Sequence, residues 1–211
     1  MTAVDQPDGA PSNDLARIPP PDFHAMVADA GIILDDGELE SLGMFASMLL
    51  DANTRTNLTG VRTPEELWTR HVFAALTLLP VLETLSSALR VLDIGSGGGL
   101  PALPLAIVRP EDHYTLLEAT GKKCDFLTQT AELLKLDHVT VIQGRAEQLG
   151  HHDDEHGLRS SFDVITSRAV GRVTIASELC VPFAKVGGLV VLVKGAKAPE
   201  ELEEARAALH M

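Results

Sequence analysis

Residues 90–101 read Arg-Val-Leu-Asp-Ile-Gly-Ser-Gly-Gly-Gly-Leu-Pro, and this stretch decides the fold. A short apolar run ends in an acid, a glycine-rich turn follows, and the next apolar segment predicts a helix over about 100–108. Glycine lets the backbone turn sharply and approach a ligand closely, and the first turn of a helix leaves N–H groups without partners. A strand, a glycine loop and a helix in this order are typical of a nucleotide-binding unit.

The chain that follows this stretch alternates between the patterns of strands and helices. The strands are predicted at 90–94, 114–118, 139–143, 163–167 and 189–194, and the helices at about 100–108, 121–135, 172–184 and 199–209. This alternation predicts an α/β fold with a doubly wound, mostly parallel sheet that is covered on both faces. Ligands bind such sheets beyond the carboxyl ends of the strands, and the glycine loop leaves the first strand at that edge.

The chain before residue 90 predicts a tail and a helical region. Residues 1–21 are polar and rich in Pro and Asp, lack the features of a secretory signal, and predict a flexible tail. Helical periodicity follows at 22–31, 35–53 and 63–83, with a polar loop at 53–61. Thr63, Pro64 and Glu66 predict an N-cap, a first helical residue and a capping box for the third helix. We therefore expect a tail (1–21), an N-terminal helical cap (22–89) and a nucleotide-binding domain (90–211).

Composition excludes several classes of protein. The 211 residues suffice for one ordinary domain, and the net charge of −13 argues against a general nucleic-acid binder. No apolar run is long enough to span a membrane, so we expect a cytoplasmic protein. Cys124 and Cys180 show no metal-binding spacing and are interpreted as reduced packing residues. The cluster of histidines and acids at 151–157 is interpreted as a solvated loop, and no metal is expected.

Acidic residues near the glycine loop narrow the choice of nucleotide. The order Asp-x-Gly-x-Gly-x-Gly, beginning at Asp93, differs from the nicotinamide fingerprint Gly-x-Gly-x-x-Gly. Glu118 ends the second strand and can accept hydrogen bonds from both ribose hydroxyls of an adenosine. Residues 144–147 follow the third strand, where they can line an adenine ring. A dinucleotide dehydrogenase would also need a substrate domain, for which 211 residues leave little room.

These residues resemble those of class I S-adenosylmethionine-dependent methyltransferases over 90–195. Over about 22–197 the chain more closely resembles the bacterial 16S ribosomal RNA guanine-N7 methyltransferase family, whose older name is glucose-inhibited division protein B. The matching segments lie at 57–62, 70–71, 93–104, 107–110, 121–123, 145–147, 167–169 and 194–195. The glycine loop is common to many methyltransferases, whereas Asn-Leu-Thr at 57–59, Gly-Leu-Pro at 99–101 and Ser-Arg-Ala at 167–169 are far more specific.

The resemblance implies a Rossmann-like class I methyltransferase fold and methyl transfer from S-adenosylmethionine to N7 of one guanine in a decoding-region loop of 16S ribosomal RNA. We expect a monomer that acts on this RNA within a 30S particle or an assembly intermediate. The expected cofactor-binding residues are Asp93, Gly95, Ser96, Gly97, Gly99, Leu100, Glu118, Ala146, Glu147 and Arg168. The expected RNA-binding residues are Asn57, Thr59, Arg62, His71, Lys122 and Lys123. Arg145, Arg168 and Lys194 are expected to position the reactants, since each lies at or just past a predicted strand end.

No catalytic acid or base is expected, because guanine N7 is a hydrogen-bond acceptor that carries no proton. Aligning the nucleophile, the methyl group and the sulfur is then the main task of the protein. One departure from the family is that two further strands usually complete its sheet, whereas only a charged helix follows the fifth strand here. We therefore expect the last two strands to be missing from this chain, which leaves the domain short at its C-terminus.

Three other functions stay open on the residues alone. One is methylation of a small molecule or a protein, which would not require the cluster of Arg55, Arg62 and Arg70. Another is a non-catalytic module that binds RNA or S-adenosylmethionine. The third is a nicotinamide-dependent enzyme, which fits the glycine loop least well.

Overall fold

The computed structural model describes residues 13–85, 88–151 and 157–209, and its sheet has five parallel strands in the order β3-β2-β1-β4-β5. The strands are β1 (Arg90–Ile94), β2 (His113–Glu118), β3 (Val139–Gln143), β4 (Phe162–Arg168) and β5 (Ala184–Val193). The helices are α1 (Pro21–Asp29), α2 (Asp36–Asn53), α3 (Pro64–Glu66), α4 (Phe73–Leu76), α5 (Leu79–Glu83), α6 (Ala102–Val108), α7 (Gly121–Leu133), α8 (Ala146–Leu149), α9 (Val173–Cys180) and α10 (Ala198–Leu209). The predicted α/β class is confirmed.

The strand order places a crevice at the carboxyl end of β1. The chain leaves β1 toward β2 on one side, and β4 lies on the other side, so the loops after β1 and β4 diverge. The register sets Asp93 of β1 beside Leu116 of β2 and Thr166 of β4. The residues that end these three strands therefore meet at one edge of the sheet.

Both faces of the sheet are covered by apolar side chains. Val91 packs into a large cluster that also contains Phe45 and Trp68 from the N-terminal region. Leu92 and Ile94 point to the other face, where a second cluster forms. Because successive strand residues alternate between faces, the nearly continuous apolar run of β1 fills both cores. The N-terminal helices and one face of the sheet thus share a single core.

The expected tail is packed over part of its length. Residues Asn13–Arg17 form a 3-10 helix, and the buried Ala16 accepts a hydrogen bond from Trp68 Nε1 at 2.8 Å. Gly43 of α2 allows this approach, since a Cβ at that position would lie 2.2 Å from the carbonyl oxygen of Arg17. The prediction of a flexible tail is therefore wrong for residues 13–17, and residues 1–12 lie outside the described part of the chain.

The helix predicted over 63–83 is interrupted. It consists of α3, a π-helical segment at Leu67–Val72, α4 and α5. Pro80 ends any continuous helix here, because proline lacks the N–H and its ring clashes with the carbonyl four residues earlier. The predicted N-cap is present, with Glu66 N donating to Thr63 Oγ1 at 3.2 Å. The predicted capping box is not formed, because the Glu66 carboxylate pairs with Arg70 at 3.4 Å instead of accepting from Thr63 N.

The C-terminal elements differ from their predicted bounds. The helix expected over 172–184 ends at Cys180 and is followed by a 3-10 turn at Val181–Phe183, so β5 begins earlier than predicted. Helix α10 packs against α9, where Glu201 accepts from Val173 N at 3.2 Å. Both cysteines are buried free thiols. Within the described ranges, no helix is long and apolar enough to cross a membrane.

Candidate active site

The glycine loop is held against the end of β2 by backbone hydrogen bonds. Gly95 N and Ser96 N both donate to the Leu117 carbonyl, at 2.9 and 3.3 Å. Gly95, Gly97 and Gly99 have φ values of +72°, +54° and +82°, a region that L-residues rarely adopt. At Gly99 a Cβ would also lie 2.3 Å from Leu103 Cδ1. The loop conformation therefore requires glycine here, as the sequence indicated.

Asp93 is a buried acid beneath this loop. Its Oδ1 accepts from Thr166 Oγ1 at 2.6 Å, and its Oδ2 is buried without a hydrogen-bond partner among the described residues. Burial, with a smaller contribution from the nearby Glu118 charge, raises the pKa of Asp93 to about 6. An unpartnered buried acceptor is costly in a folded protein, so this oxygen is suited to a ligand cation or N–H group.

Glu118 connects the glycine loop to the start of α7. Its Oε2 accepts from Gly97 N and its Oε1 accepts from Thr120 N, both at 2.9 Å. The carboxylate is thus held in place by two backbone donors, and each of its oxygens keeps a second lone pair. The sequence prediction that Glu118 binds a ribose did not foresee this bridging role.

Two adjoining clefts open at this edge of the sheet, and Gly95 and Val170 line both. The larger cleft, of about 330 Å³, has the glycine loop and Leu100 on one side and Leu58, Thr59 and His71 on another, with Lys123 and Arg168 in its wall. The smaller cleft, of about 180 Å³, is lined by Glu118 and by residues 144–147. Eight of the ten predicted cofactor-binding residues line one or other of these two clefts, whereas Asp93 and Gly99 line neither.

The N-terminal wall of the larger cleft is organised by Asn53. Its Oδ1 accepts from Leu58 N and Thr59 N, both at 2.9 Å, and its Nδ2 donates to the Val61 carbonyl at 3.1 Å. Arg62 adds a bond from Nη1 to the Thr59 carbonyl at 2.7 Å. A half-buried amide with three backbone partners fixes the shape of the loop at 54–61. Asn53 was not among the residues predicted for the site, although an Asn at the end of a helix before a polar loop is a signal of such a role.

His71 and Arg168 join the two walls of this cleft. They lie 97 residues apart in the chain, and Arg168 Nη2 donates to His71 Nδ1. Burial and the neighbouring charges of Arg168 and Arg70 lower the pKa of His71 to about 4, so the imidazole is neutral at pH 7. His71 belongs to the π-helical segment, a feature that is frequent at functional sites.

The predicted basic residues fall into two groups. Lys122 is exposed and Lys123 lines the larger cleft, and neither has an ion-pair partner in the part of the chain that the structure describes. Arg55 pairs with Asp51 at 2.8 Å and Arg70 with Glu66 at 3.4 Å, so two arginines of the N-terminal cluster are neutralised locally.

The remaining predicted residues lie at different distances from the clefts. Arg145 borders the smaller cleft as the residue before α8, and Asn57 is exposed on the loop before Leu58. Lys194 lies elsewhere: it pairs with Glu201 at 3.0 Å, donates to the Gly171 carbonyl and borders a separate apolar groove between β5, α9 and α10. Of the expected loop at 151–157, residues 152–156 are outside the described residues, and the other described residues contain no cluster of three or more metal-ligating side chains.

Comparisons with known proteins identify the family. The family model for rRNA small subunit methyltransferase G, GidB, matches residues 38–211. The chain belongs to this methyltransferase family. Ribosomal RNA small subunit methyltransferase G of Sorangium cellulosum is 50% identical over 187 residues, which cover 89% of this chain and 77% of that protein. The enzyme of the same name from Streptococcus sanguinis is 37% identical over 194 residues, covering 91% and 80%.

Solved structures agree on the fold. A putative caffeoyl-CoA O-methyltransferase from Staphylococcus aureus superposes with a TM-score of 0.56 at 13% identity, covering 90% of this chain and 87% of that one. The putative transferase PH0793 from Pyrococcus horikoshii superposes with a TM-score of 0.50 at 18% identity, covering 64% and 51%. As a member of the methyltransferase G family, the protein is an S-adenosylmethionine-dependent methyltransferase, as the sequence predicted.

Proposed function

We propose that this methyltransferase transfers a methyl group to N7 of one guanine in a decoding-region loop of 16S ribosomal RNA. The observation that carries the proposal is the larger cleft, whose walls come from two regions of the chain. The glycine loop forms one wall, and residues 58–60 with His71 form the other. A cofactor on the sheet side and a nucleobase on the N-terminal side would therefore meet in one space.

The residues at the sheet edge fit S-adenosylmethionine. The unpartnered Oδ2 of Asp93 offers an acceptor beside the glycine loop, and the loop offers close backbone approach to the methionine end of the cofactor. Glu118 is positioned to bind the ribose, and Ala146 and Glu147 line the smaller cleft where an adenine ring would lie. Gly95, Ser96, Gly97, Gly99, Leu100 and Arg168 complete the proposed cofactor site. When bound, the cofactor supplies an electrophilic methyl group on a sulfonium.

The protein's own contribution to this reaction is alignment. Guanine N7 attacks with a lone pair and releases no proton, so no side chain has to remove one. His71 is neutral at pH 7 and therefore adds no further positive charge beside Arg168. Holding two reactants in line can lower a barrier by roughly 7–11 kcal/mol in favourable systems.

RNA binding is proposed for the rim around the larger cleft. Lys122 and Lys123 lie at the start of α7, where a cation is unfavourable for the helix dipole, and both are free of ion pairs within the described chain. They are therefore suited to phosphate contact. Asn57, Thr59, Arg62 and His71 form the substrate side, contributed by the helical region at 22–89. Arg145 remains a proposed positioning residue at the smaller cleft.

Lys194 is the weakest member of the proposed positioning set. Its ammonium group is already bonded to Glu201 and to the Gly171 carbonyl, and Lys194 lines neither cleft. We propose that the protein acts as a monomer on a cytoplasmic 30S particle or assembly intermediate. Its net charge of −13 supports a structured target over loose RNA, because general attraction to phosphate is weak.

Methyl mapping tests the proposal directly. Protein-free 16S RNA and 30S particles from a strain lacking the enzyme are incubated with labelled S-adenosylmethionine, and the modified base is mapped. Label at N7 of one guanine is expected with wild type. The variant Gly97→Asp should give none, because Gly97 lines the larger cleft and the new carboxylate would enter the space of the cofactor; since its φ of +54° strains an L-residue, circular dichroism must show that the variant is folded. Label only on a protein or a small molecule, or no label on either RNA substrate, would overturn the assignment.

A further inference from the structure

The contact between His71 and Arg168 determines where the imidazole carries its proton. Arginine has five N–H donors and no acceptor, so the bond from Arg168 Nη2 requires an unprotonated Nδ1 on His71. Burial and the charges of Arg168 and Arg70 hold the pKa of His71 at about 4. The ring is then neutral at pH 7, and its single proton must be on Nε2.

The Nε2–H group is the part of His71 that remains available. No residue in the described ranges bonds to Nε2, and the ring is half-buried in the wall of the larger cleft opposite the glycine loop. The neighbouring part of this wall is tied to the end of α2, because Asn53 Oδ1 accepts from the backbone N–H groups of Leu58 and Thr59. The structure thus presents one oriented, uncharged donor in the space proposed for the nucleobase.

The chemistry of the purine edge decides what such a donor can recognise. Guanine presents two acceptors there, N7 and O6, whereas adenine presents N7 as an acceptor and its 6-amino group as a donor. A donor bonded to N7 would occupy the lone pair that attacks the methyl group. A donor bonded to O6 leaves that lone pair free and rejects adenine, whose amino group would face the N–H.

We propose that Arg168 holds His71 in the Nε2–H tautomer and that this N–H donates to O6 of the target guanine, which makes His71 a specificity-determining residue. This inference rests on the proposed methylation of guanine N7. Arg168 acts on the base through His71 and is in that respect a positioning residue. The bond aligns N7 with the methyl group and discriminates guanine from adenine without transferring a proton.

The O6 contact is tested by a double-mutant cycle in which a change of the His71 side chain is combined with removal of O6 from the base. The values of kcat/KM are measured on 16S RNA assembled into 30S particles with either guanine or 2-aminopurine, which lacks O6, at the target position. The kcat/KM for guanine is divided by that for 2-aminopurine, and this ratio is compared between wild type and variant. Any difference in the intrinsic reactivity of the two bases then cancels. In His71→Asn the side-chain oxygen can still accept from Arg168, but no donor reaches the Nε2 position. The preference for guanine should then be about tenfold smaller than in wild type, the size of one hydrogen bond between neutral groups.

Two further variants calibrate this cycle. In His71→Gln the amide N–H₂ reaches the Nε2 position, so most of the preference for guanine should return even though the bond from Arg168 is lost. His113→Asn makes the same substitution at an exposed histidine at the start of β2, and its ratio should equal that of wild type. An unchanged ratio in His71→Asn, with wild type still methylating guanine N7, would overturn the inference and leave the proposed function intact.

The tautomer is also measurable without activity. Nitrogen NMR of histidine-labelled wild-type protein at pH 7 should show His71 neutral with its proton on Nε2. The variant Arg168→Lys should weaken that preference, because a flexible ammonium replaces the planar guanidinium donor. A proton on Nδ1, or a charged ring, in wild type would overturn the inference even if the His71 variants failed to fold.

Discussion

The glycine-loop side of the cleft and the side formed by residues 53–71 reach the same space through different kinds of bonding. On the sheet side, backbone groups of the loop after β1 bond to the Leu117 carbonyl and to Glu118, and three glycines have positive φ values that other residues rarely adopt. On the N-terminal side, the Asn53 amide bonds to three backbone groups of the loop at 54–61, and Arg62 adds a bond to the Thr59 carbonyl. The glycine loop is thus bonded to the end of β2 in the sheet, whereas the loop at 54–61 is bonded to the last residue of α2. Changes in the two walls should therefore have different consequences.

The largest effect is expected from Gly99→Ala. The new Cβ would lie 2.3 Å from Leu103 Cδ1 at a φ of +82°, so overpacking and backbone strain add. The free energy of unfolding should fall by about 4 kcal/mol, from roughly 1–3 kcal/mol for each effect. Denaturant unfolding measures it. Gly60→Ala on the opposite wall is the matched control, since its Cβ meets nothing within 4 Å. Equal losses in the two variants would contradict the distinction between the walls.

Asp93→Asn should change how stability depends on pH. Folding raises the pKa of Asp93 from 3.8 to about 6, so the folded chain holds this proton more tightly and stability falls as pH rises from about 4 to 6. Two pKa units correspond to about 3 kcal/mol. Relative to wild type, the asparagine variant should gain roughly that amount between pH 4 and pH 7 in chemical denaturation, while other carboxylates affect both proteins alike. A difference that is constant with pH would refute the cost of ionising Asp93.

Asn53→Ala tests the N-terminal wall. Three hydrogen bonds to backbone groups are lost, and the loop is partly solvated, so the expected destabilisation is about 2 kcal/mol. The KM for the RNA substrate should rise several-fold, while the Kd for S-adenosylmethionine, measured calorimetrically, should stay near the wild-type value. A parallel loss of cofactor affinity would show that the two walls are not independent.

The smallest effect on stability is expected from the surface cations. Replacing Lys122 and Lys123 by Ala should leave the free energy of unfolding within about 0.5 kcal/mol and weaken RNA binding. The slope of log K against log salt should decrease in magnitude by about 1.5 if each lysine contacts one phosphate. Arg70→Ala is the control, because Arg70 is exposed and paired with Glu66. If the salt slope changes in Arg70→Ala and not in the lysine variant, the RNA contacts the N-terminal helices and not the start of α7.

Much of the sheet side was predictable from local pattern. The strands at 90–94 and 139–143 have the bounds that the sequence predicted, since apolar runs between turn signals are informative in parallel sheets. The interruption of the helix at 63–83 was not predicted, although Pro80 was visible. Periodicity continued past it, and the π-helical segment depends on how residues 67–72 pack against the core. The flexible tail predicted over residues 13–17 was wrong, because it was inferred from polar composition alone. These residues are ordered by contacts with Gly43 and Trp68, which lie far along the chain.

The sequence by itself determined the α/β class, the glycine loop and the family, because each depends on residue types at short spacing along the chain. Only the tertiary structure decided which predicted residues share a site. It brought His71 to Arg168 across 97 positions and drew Lys194 to Glu201, away from the cleft. It also gave Asp93 its raised pKa, because burial and a neighbouring charge arise only when strands pack together. Side-chain partners depend on the register and packing of distant elements, and no local pattern encodes those.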